Sequence, residues 1–300
     1  MSETPVKVSV IIPSYNQKRV IFTAIESVLQ QKTSFPFEVI VVESTGDDTA
    51  KLVRERFPDV RVLELRERAY PGTARNEAIK IARGEILAFT DTDCVVAPDW
   101  LSTLVRAHGD GYPIVGGMVR NGTPKSIFGT VDYLLEFADL ITLRPTTGKS
   151  HFGTCNVSFK KEVFDRHGLF ADQVKGSDSL YTRLAKAKGE VLYHEPNAVI
   201  WHKNRRNLNK IFKNQYELGY GAAINRHKYN LKGKIFIKIP LLIPLMPFIR
   251  TVAIGWRLLR NSPVNFLKFI LLLPFIFTGL AVHAWGFVKG RKKVLFDAKK

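Results

Sequence analysis

Over its first 93 residues the chain alternates short, largely apolar runs with longer amphipathic stretches, and few folds satisfy that rhythm. Val8–Ile12 and Phe37–Val42 read as strands buried on both faces. Between them Val20, Ile21, Ala24, Ile25, Val28 and Leu29 recur at helical spacing. The turn Glu43–Thr49 is rich in acids and hydroxyls that can cap a following helix, Thr49–Phe57. Val60–Leu65 reads as a third strand, Thr73–Ala82 as a helix stopped at Gly84, and Glu85–Thr90 as a fourth strand. Strands alternating with helices predict an α/β domain with a mostly parallel, Rossmann-like sheet. Further on, the pattern predicts a helix from Pro98 to His108, strands at Ile114–Gly117, Gly153–Phe159, Glu190–Leu192 and Ala198–Trp201, and helices around Thr130–Leu140, Lys160–His167 and Ser177–Lys188. A basic helix is expected over Asn207–Arg226.

Charge divides the chain. The formal net charge is +18, from 45 Lys/Arg and 27 Asp/Glu. Residues 1–202 hold 25 of each sign; from Lys203 onwards there are 20 Lys/Arg against only Glu217 and Asp297. The same last third holds the longest apolar runs, Ile235–Ile249 and Phe269–Val282. Basic residues flanking apolar stretches suit an anionic membrane surface better than a nucleic-acid groove, and no base-stacking or groove-reading signature is present. No nucleic-acid partner is expected. Met1–Val6 is short and polar and Val8–Ile12 is too short for a signal-peptide core, so a cytoplasmic catalytic portion is expected. Cys94 and Cys155 are then expected as free thiols.

The first strand runs into Pro13-Ser-Tyr-Asn16 rather than a glycine-rich turn, and no P-loop is present, so bound phosphates need another counter-charge. Asp91-Thr-Asp93, at the carboxyl end of a parallel strand, supplies a place for a divalent ion, with its two carboxylates expected on one side. Taken alone, the same residues read better as a turn capping the helix from Pro98, and only their context favours the ion.

In their order and spacing, Val8-Ser-Val-Ile-Ile-Pro-Ser-Tyr-Asn16, Glu43, Ala74-Arg-Asn76 and Gly84-Glu-Ile-Leu-Ala-Phe-Thr-Asp-Thr-Asp93 resemble the family 2 glycosyltransferases. The resemblance continues through Gly153–Ser158 and Gly176–Arg183 to Pro196–His202, about two-thirds of the chain. It implies a GT-A fold and inverting transfer of a sugar from a nucleotide-diphosphate donor, with a uridine donor favoured. It implies donor contacts from Pro13, Tyr15, Glu43, Arg75, Asp91 and Asp93, and a Mn²⁺ or Mg²⁺ ion on Asp93 and Asp91, joined in some relatives by a histidine matching His202. Asp178 matches the general base. Two positions depart from the pattern. Glu43 stands where Asp is usual, and Ser177 replaces the acid that usually precedes the base. Arg75 reads equally as a helix-surface partner of Glu77, Asp178 as a charge on its helix N-terminus, and His202 as a packed core histidine.

The expected organisation is a catalytic domain over 1–202, with a donor half to about 117 and an acceptor half over 118–202, followed by membrane-associated helices over 203–300. A spanning helix needs about 20 apolar residues. Phe266–Val288 nearly meets that length, whereas Pro240, Pro244 and Pro247 argue against a straight span over Ile235–Ile254. The expectation is insertion of the second segment, with a hairpin or interfacial helices as the two arrangements. Truncation after about Arg226 is expected to give a more soluble protein. A lipid-linked or cell-surface glycan acceptor fits such placement. A sugar nucleotidyltransferase of related fold and a non-catalytic membrane scaffold are the competing functions.

Overall fold

The computed structural model describes residues 5–44, 46–172 and 175–297; Thr45, inside the turn expected at 43–49, lies outside them. Two units emerge. The first comprises the chain to Gly122 together with Arg144–His202; the second comprises Thr123–Leu143 and the chain from Lys203.

The first unit is built on an eight-stranded sheet: β1 (Val8–Ser14), β2 (Phe37–Glu43), β3 (Arg61–Glu64), β4 (Ile86–Phe89), β5 (Cys94–Val96), β6 (Ile114–Asn121), β7 (Val157–Lys160) and β8 (Leu192–His202), in the order β3-β2-β1-β4-β7-β6-β8-β5. The first four strands are mutually parallel, as the alternation with helices α1 (Ile21–Leu29), α2 (Thr49–Arg56) and α3 (Pro71–Ile81) predicts. Beyond β4 the sheet is mixed. β7 runs antiparallel to β4 and β6, β8 is parallel to β6, and β5 is antiparallel to β8. The two strands expected at 190–192 and 198–201 are one strand, bulged where Gly117 faces Glu195 and Met118 faces Val199. Pro196, which has no N–H for the ladder, lies in that bulge.

Helices α4 (Trp100–Gly109), α6 (Glu162–His167) and α7 (Ser177–Ala187) complete this unit. Val10, Ile11, Ile12, Ile40, Val41, Leu87, Phe89 and Trp100 are fully buried. Where β6 passes β8 the backbones nearly touch. A Cβ on Gly117 would fall inside the Ala198 carbonyl oxygen, and Asn156 fills the gap, donating 2.9 Å bonds to the Met118 and Ala198 carbonyls and accepting 2.8 Å from the Trp100 indole N–H. At the amino end of the sheet Glu38 is buried. Burial alone would raise its carboxyl, but bonds from Arg83 N–H, Ser9 and Arg61 more than offset this and hold it below the usual range.

The second unit is helical: α5 (Ile127–Phe137), α8 (Leu208–Lys228), α9 (Ile235–Lys238), a 3₁₀ turn over Pro240–Leu245, α10 (Met246–Asn261), α11 (Pro263–Leu271) and α12 (Leu273–Asp297). Segment 123–143, read from sequence as part of the acceptor half, packs with the C-terminal helices here. It supplies acids that the tail lacks. Asp132 and Glu136 receive Arg205, Glu136 also accepts from Asn214, and Asp139 pairs with Arg257. α8 and α12 meet backbone to backbone. A Cβ on Gly219 would overlap the His283 carbonyl, one on Gly286 the Tyr216 carbonyl, and one on Gly290 the Tyr220 carbonyl.

The apolar segment expected as one helix over Phe266–Val288 is broken. α11 and α12 meet at 80°. Pro274 has no N–H to donate to Ile270 and its ring crowds that carbonyl, so α11 stops at Leu271. Conversely, Pro240 and Pro247 stand at helix starts, where proline is tolerated, and Pro240–Asn261 forms a 22-residue helical stretch containing an 18-residue window of mean hydropathy 1.4, long and apolar enough to cross a membrane.

Candidate active site

The site lies at the carboxyl edge of the parallel strands. β1 and β2 end together, Ser14 opposite Glu43, and β4 ends at Phe89, two residues before Asp91. On the β1 side, Pro13 is partly buried and Tyr15 is exposed, with the Arg68 guanidinium 4.4 Å above its ring. Glu43 is buried, and its carbonyl accepts from Leu65 N–H at 2.8 Å. In the turn leading to α2, Asp47 accepts from Thr49 N–H at 2.9 Å, closing a turn of its own, while the N-cap residue, Asp48, makes no side-chain cap bond and pairs with Lys18 instead of capping the helix as expected.

Asp91–Asp93 forms the tight turn between β4 and β5, closed by Cys94 N–H donating to the Asp91 carbonyl at 3.1 Å. The turn gives the two carboxylates different partners. Asp91 accepts a 2.6 Å charge-assisted bond from Arg75, which is itself buried on α3. That settles the partner of Arg75; Glu77 pairs with Lys80 instead. Burial raises the Asp91 carboxyl above its usual value; Arg75 opposes this, and the nearby Asp93 and Asp178 charges add to the rise. Asp93 Oδ1 lies 3.5 Å from His202 Nε2. Neither aspartate caps α4, whose N-cap position is Asp99.

His202 reaches Asp93 because β5 pairs antiparallel with β8 and puts Cys94 opposite His202. The ligand atoms of Asp93, Cys94 and His202 lie within 4.8 Å of one another, the only such group among the described residues. Burial, then the Asp93 charge, push the Cys94 thiol well up, and a thiol is a soft donor that ions of the Mg²⁺ and Mn²⁺ class do not select. That leaves one carboxylate and one imidazole, a donor pair that fits a divalent ion of the Mn²⁺ type with substrate oxygens completing its shell. Asp91 stands outside this group.

Asp178 sits in the first turn of α7. Its Oδ2 accepts from Thr154 N–H at 3.1 Å and from the Thr154 hydroxyl at 3.3 Å, and its Oδ1 accepts from Ser179 N–H at 2.7 Å. Ser177 is buried against α3, where a Cβ on Gly72 would lie 2.7 Å from its hydroxyl, so a longer acid there would meet the α3 backbone. Asn76 anchors the preceding loop through bonds to Phe170 N–H and carbonyl at 3.0 and 2.9 Å. Sequence reasoning did not single out Thr154 or Arg68. Thr154 lay inside a matched motif with nothing to mark it as the partner of Asp178, and Arg68 lay in a charged loop without periodicity.

The sequence matches the profile of glycosyl transferase family 2 over residues 9–168. The chain belongs to glycosyl transferase family 2. It is 28% identical over 231 residues to "Glycosyltransferase AglE" of Haloferax volcanii, covering 74% of each chain. To "UDP-Glc:alpha-D-GlcNAc-diphosphoundecaprenol beta-1,3-glucosyltransferase WfaP" of Escherichia coli it is 28% identical over 169 residues, 54% of this chain and 62% of that one. Its fold resembles that of the mannosyltransferase PcManGT from Pyrobaculum calidifontis, solved with GDP-Man and Mn²⁺ (TM-score 0.64, 21% identity, 94% of this chain and 87% of that one). This family 2 glycosyltransferase therefore has the GT-A fold, with a C-terminal helical segment added.

Proposed function

We propose that this glycosyltransferase moves a sugar, with inversion, from a nucleotide-diphosphate donor, UDP-sugars favoured, to a lipid-linked or cell-surface glycan. The observation that carries the reading is the approach of His202 to Asp93 beside the Arg75–Asp91 pair, at the strand edge where such sheets bind ligands. Arg75 already compensates Asp91, so Asp93 and His202 are the side chains that would hold Mn²⁺ or Mg²⁺. Bound there, the ion would offset the charge of the departing diphosphate. Tyr15, Pro13 and Glu43 then hold the nucleoside and Asp91 the ribose side.

Asp178 acts as the base. Oδ2 is occupied twice by Thr154, while among the described residues Oδ1 receives Ser179 N–H alone, which leaves it a lone pair for the acceptor proton. The acceptor O–H proton passes to Asp178 as its oxygen bonds the anomeric carbon. The bond from that carbon to the diphosphate breaks with the electron pair leaving on phosphate. An acceptor on a lipid carrier, such as the WfaP name describes, fits a chain whose positive excess and apolar helices lie C-terminal to Lys203. The reading has the enzyme work at a membrane, with its catalytic unit on the cytoplasmic face.

The test is purified full-length protein with Mn²⁺ and a panel of nucleotide sugars, scored for nucleoside diphosphate release and for transfer to an undecaprenyl-diphosphate-linked sugar. One donor should turn over, chelator should stop it, and added Mn²⁺ or Mg²⁺ should restore it. Undiminished turnover in excess chelator overturns the metal assignment; release of inorganic pyrophosphate on supplying a sugar phosphate and nucleoside triphosphate would instead make it a nucleotidyltransferase.

A further inference from the structure

The outward face of the helical unit is apolar along two successive helices. On α10, Phe248, Ile249, Val252, Trp256 and Leu259 follow one helical stripe and are 47 to 71% exposed. On α11, Val264, Leu267, Ile270 and Leu271 do the same over the same range. Soluble surfaces rarely leave so many large apolar side chains adjacent and uncovered. Cations rim the stripe. Arg260 lies 4.3 Å over the Trp256 ring, Lys289 lies 5.8 Å from Trp285, and Lys238 is exposed just before the 3₁₀ turn.

Two observations argue against these helices crossing a bilayer. A straight crossing by Pro240–Asn261 would put Arg250 near the midplane, and Arg257 is held by Asp139. Helix α12 cannot sink alone, because from His283 to Gly290 its neighbour in direct backbone contact is α8, and at Gly279 it meets Leu135 of α5. Along its length α8 carries Lys213, Asn214, Gln215, Glu217, Asn225 and Arg226, which hydrocarbon would strip of water. A second copy of the chain is a poorer cover than lipid, since it would bring two cationic rims together.

We propose that the helical unit docks in the plane of the membrane, with the outward faces of α10 and α11 embedded in one leaflet and the flanking Lys and Arg side chains on anionic headgroups. This deepens the membrane association proposed above and does not depend on the catalytic assignment.

The experiment uses full-length protein bound to the outside of phosphatidylglycerol-containing vesicles. Cys94 and Cys155 are both buried, so a bulky membrane-impermeant maleimide reports cysteines introduced at the two ends of the candidate crossing, Lys238→Cys and Ser262→Cys. Retention should survive a high-salt wash, and both sites should label from outside as fully as they do in detergent. Protection of Ser262→Cys until detergent is added means α10 crosses; in-plane docking then fails while membrane association stands. Release by salt, or no binding at all, overturns both. Chemical cross-linking in detergent-free solution then reports whether a second copy covers the face. Phe248→Ser with Val252→Asn should lose the salt-resistant fraction; unchanged retention would mean that this stripe is not the embedded surface.

Discussion

Asp91 and Asp93 stand two residues apart and answer to different partners, so their substitutions should fail differently. Asp93→Asn removes the carboxylate charge beside His202 that is proposed to hold the ion, and we expect loss of Mn²⁺-dependent donor binding, measured by calorimetry with a nucleotide sugar. Asp91→Asn leaves the buried Arg75 without its counter-charge, so it should also lower stability; full thermal stability would mean the pair contributes nothing to folding. Asp178→Asn keeps the size of the side chain beside Ser179 and Thr154 but removes the proposed proton acceptor. Turnover should drop by about 10²–10⁴-fold with donor affinity little changed. Weakened donor affinity with normal saturated turnover would reassign it to binding.

His108 offers a check on stability alone. It is buried between the Tyr112 carbonyl at 2.7 Å and the Ser158 hydroxyl at 2.8 Å, and burial lowers its pKa from 6.5 to about 4. The native imidazole stays neutral where the unfolded one takes a proton. Stability from this group is thus whole above pH about 6.5 and declines as pH falls towards about 4, by about 3 kcal/mol in total. His108→Gln should flatten that part of the urea-midpoint curve; an unchanged slope would put the titration elsewhere.

At the scale of elements, short pieces decide the site. β5 is three residues long, too short to show any periodicity, yet its pairing with β8 is what carries Asp93 to His202. The donor-side strands were legible because each is an apolar run whose parallel neighbours need both faces covered. The bulge at Pro196 and the break at Pro274 follow from the missing proline N–H, but only contacts show which proline kinks a strand and which merely starts a helix. Gly286 is the sharpest element-scale test. Gly286→Ala would push the Tyr216 carbonyl away and part α8 from α12, at a cost of about 1–3 kcal/mol by overpacking. An unchanged melting midpoint would mean that the two helices are not in backbone contact.

At the scale of the molecule, the charge break near Lys203 does not coincide with where packing divides. Segment 123–143 lends Asp132, Glu136 and Asp139 to basic partners beyond Lys203, and Leu135 packs on Gly279 of α12. The consequence reverses an expectation drawn from composition. Truncation after Arg226 strips α12 from both α5 and α8 and should give an aggregating protein, read by size-exclusion chromatography. A monodisperse, active fragment would restore the simpler division at 202.

By itself the sequence determined what depends on neighbours along the chain. Apolar period, turn chemistry and motif order fix the α/β class, the parallel donor strands and the family. They also mark Asp91, Asp93, Asp178 and His202 as the residues to watch. Only the tertiary structure decided what depends on partners far apart in sequence. Arg75 meets Asp91 across 16 residues, Thr154 meets Asp178 across 24, and His202 reaches Asp93 through a strand pairing. Such contacts are set by strand register and helix packing, and a linear pattern does not encode them where the joining strand is three residues long or the contacting face is glycine.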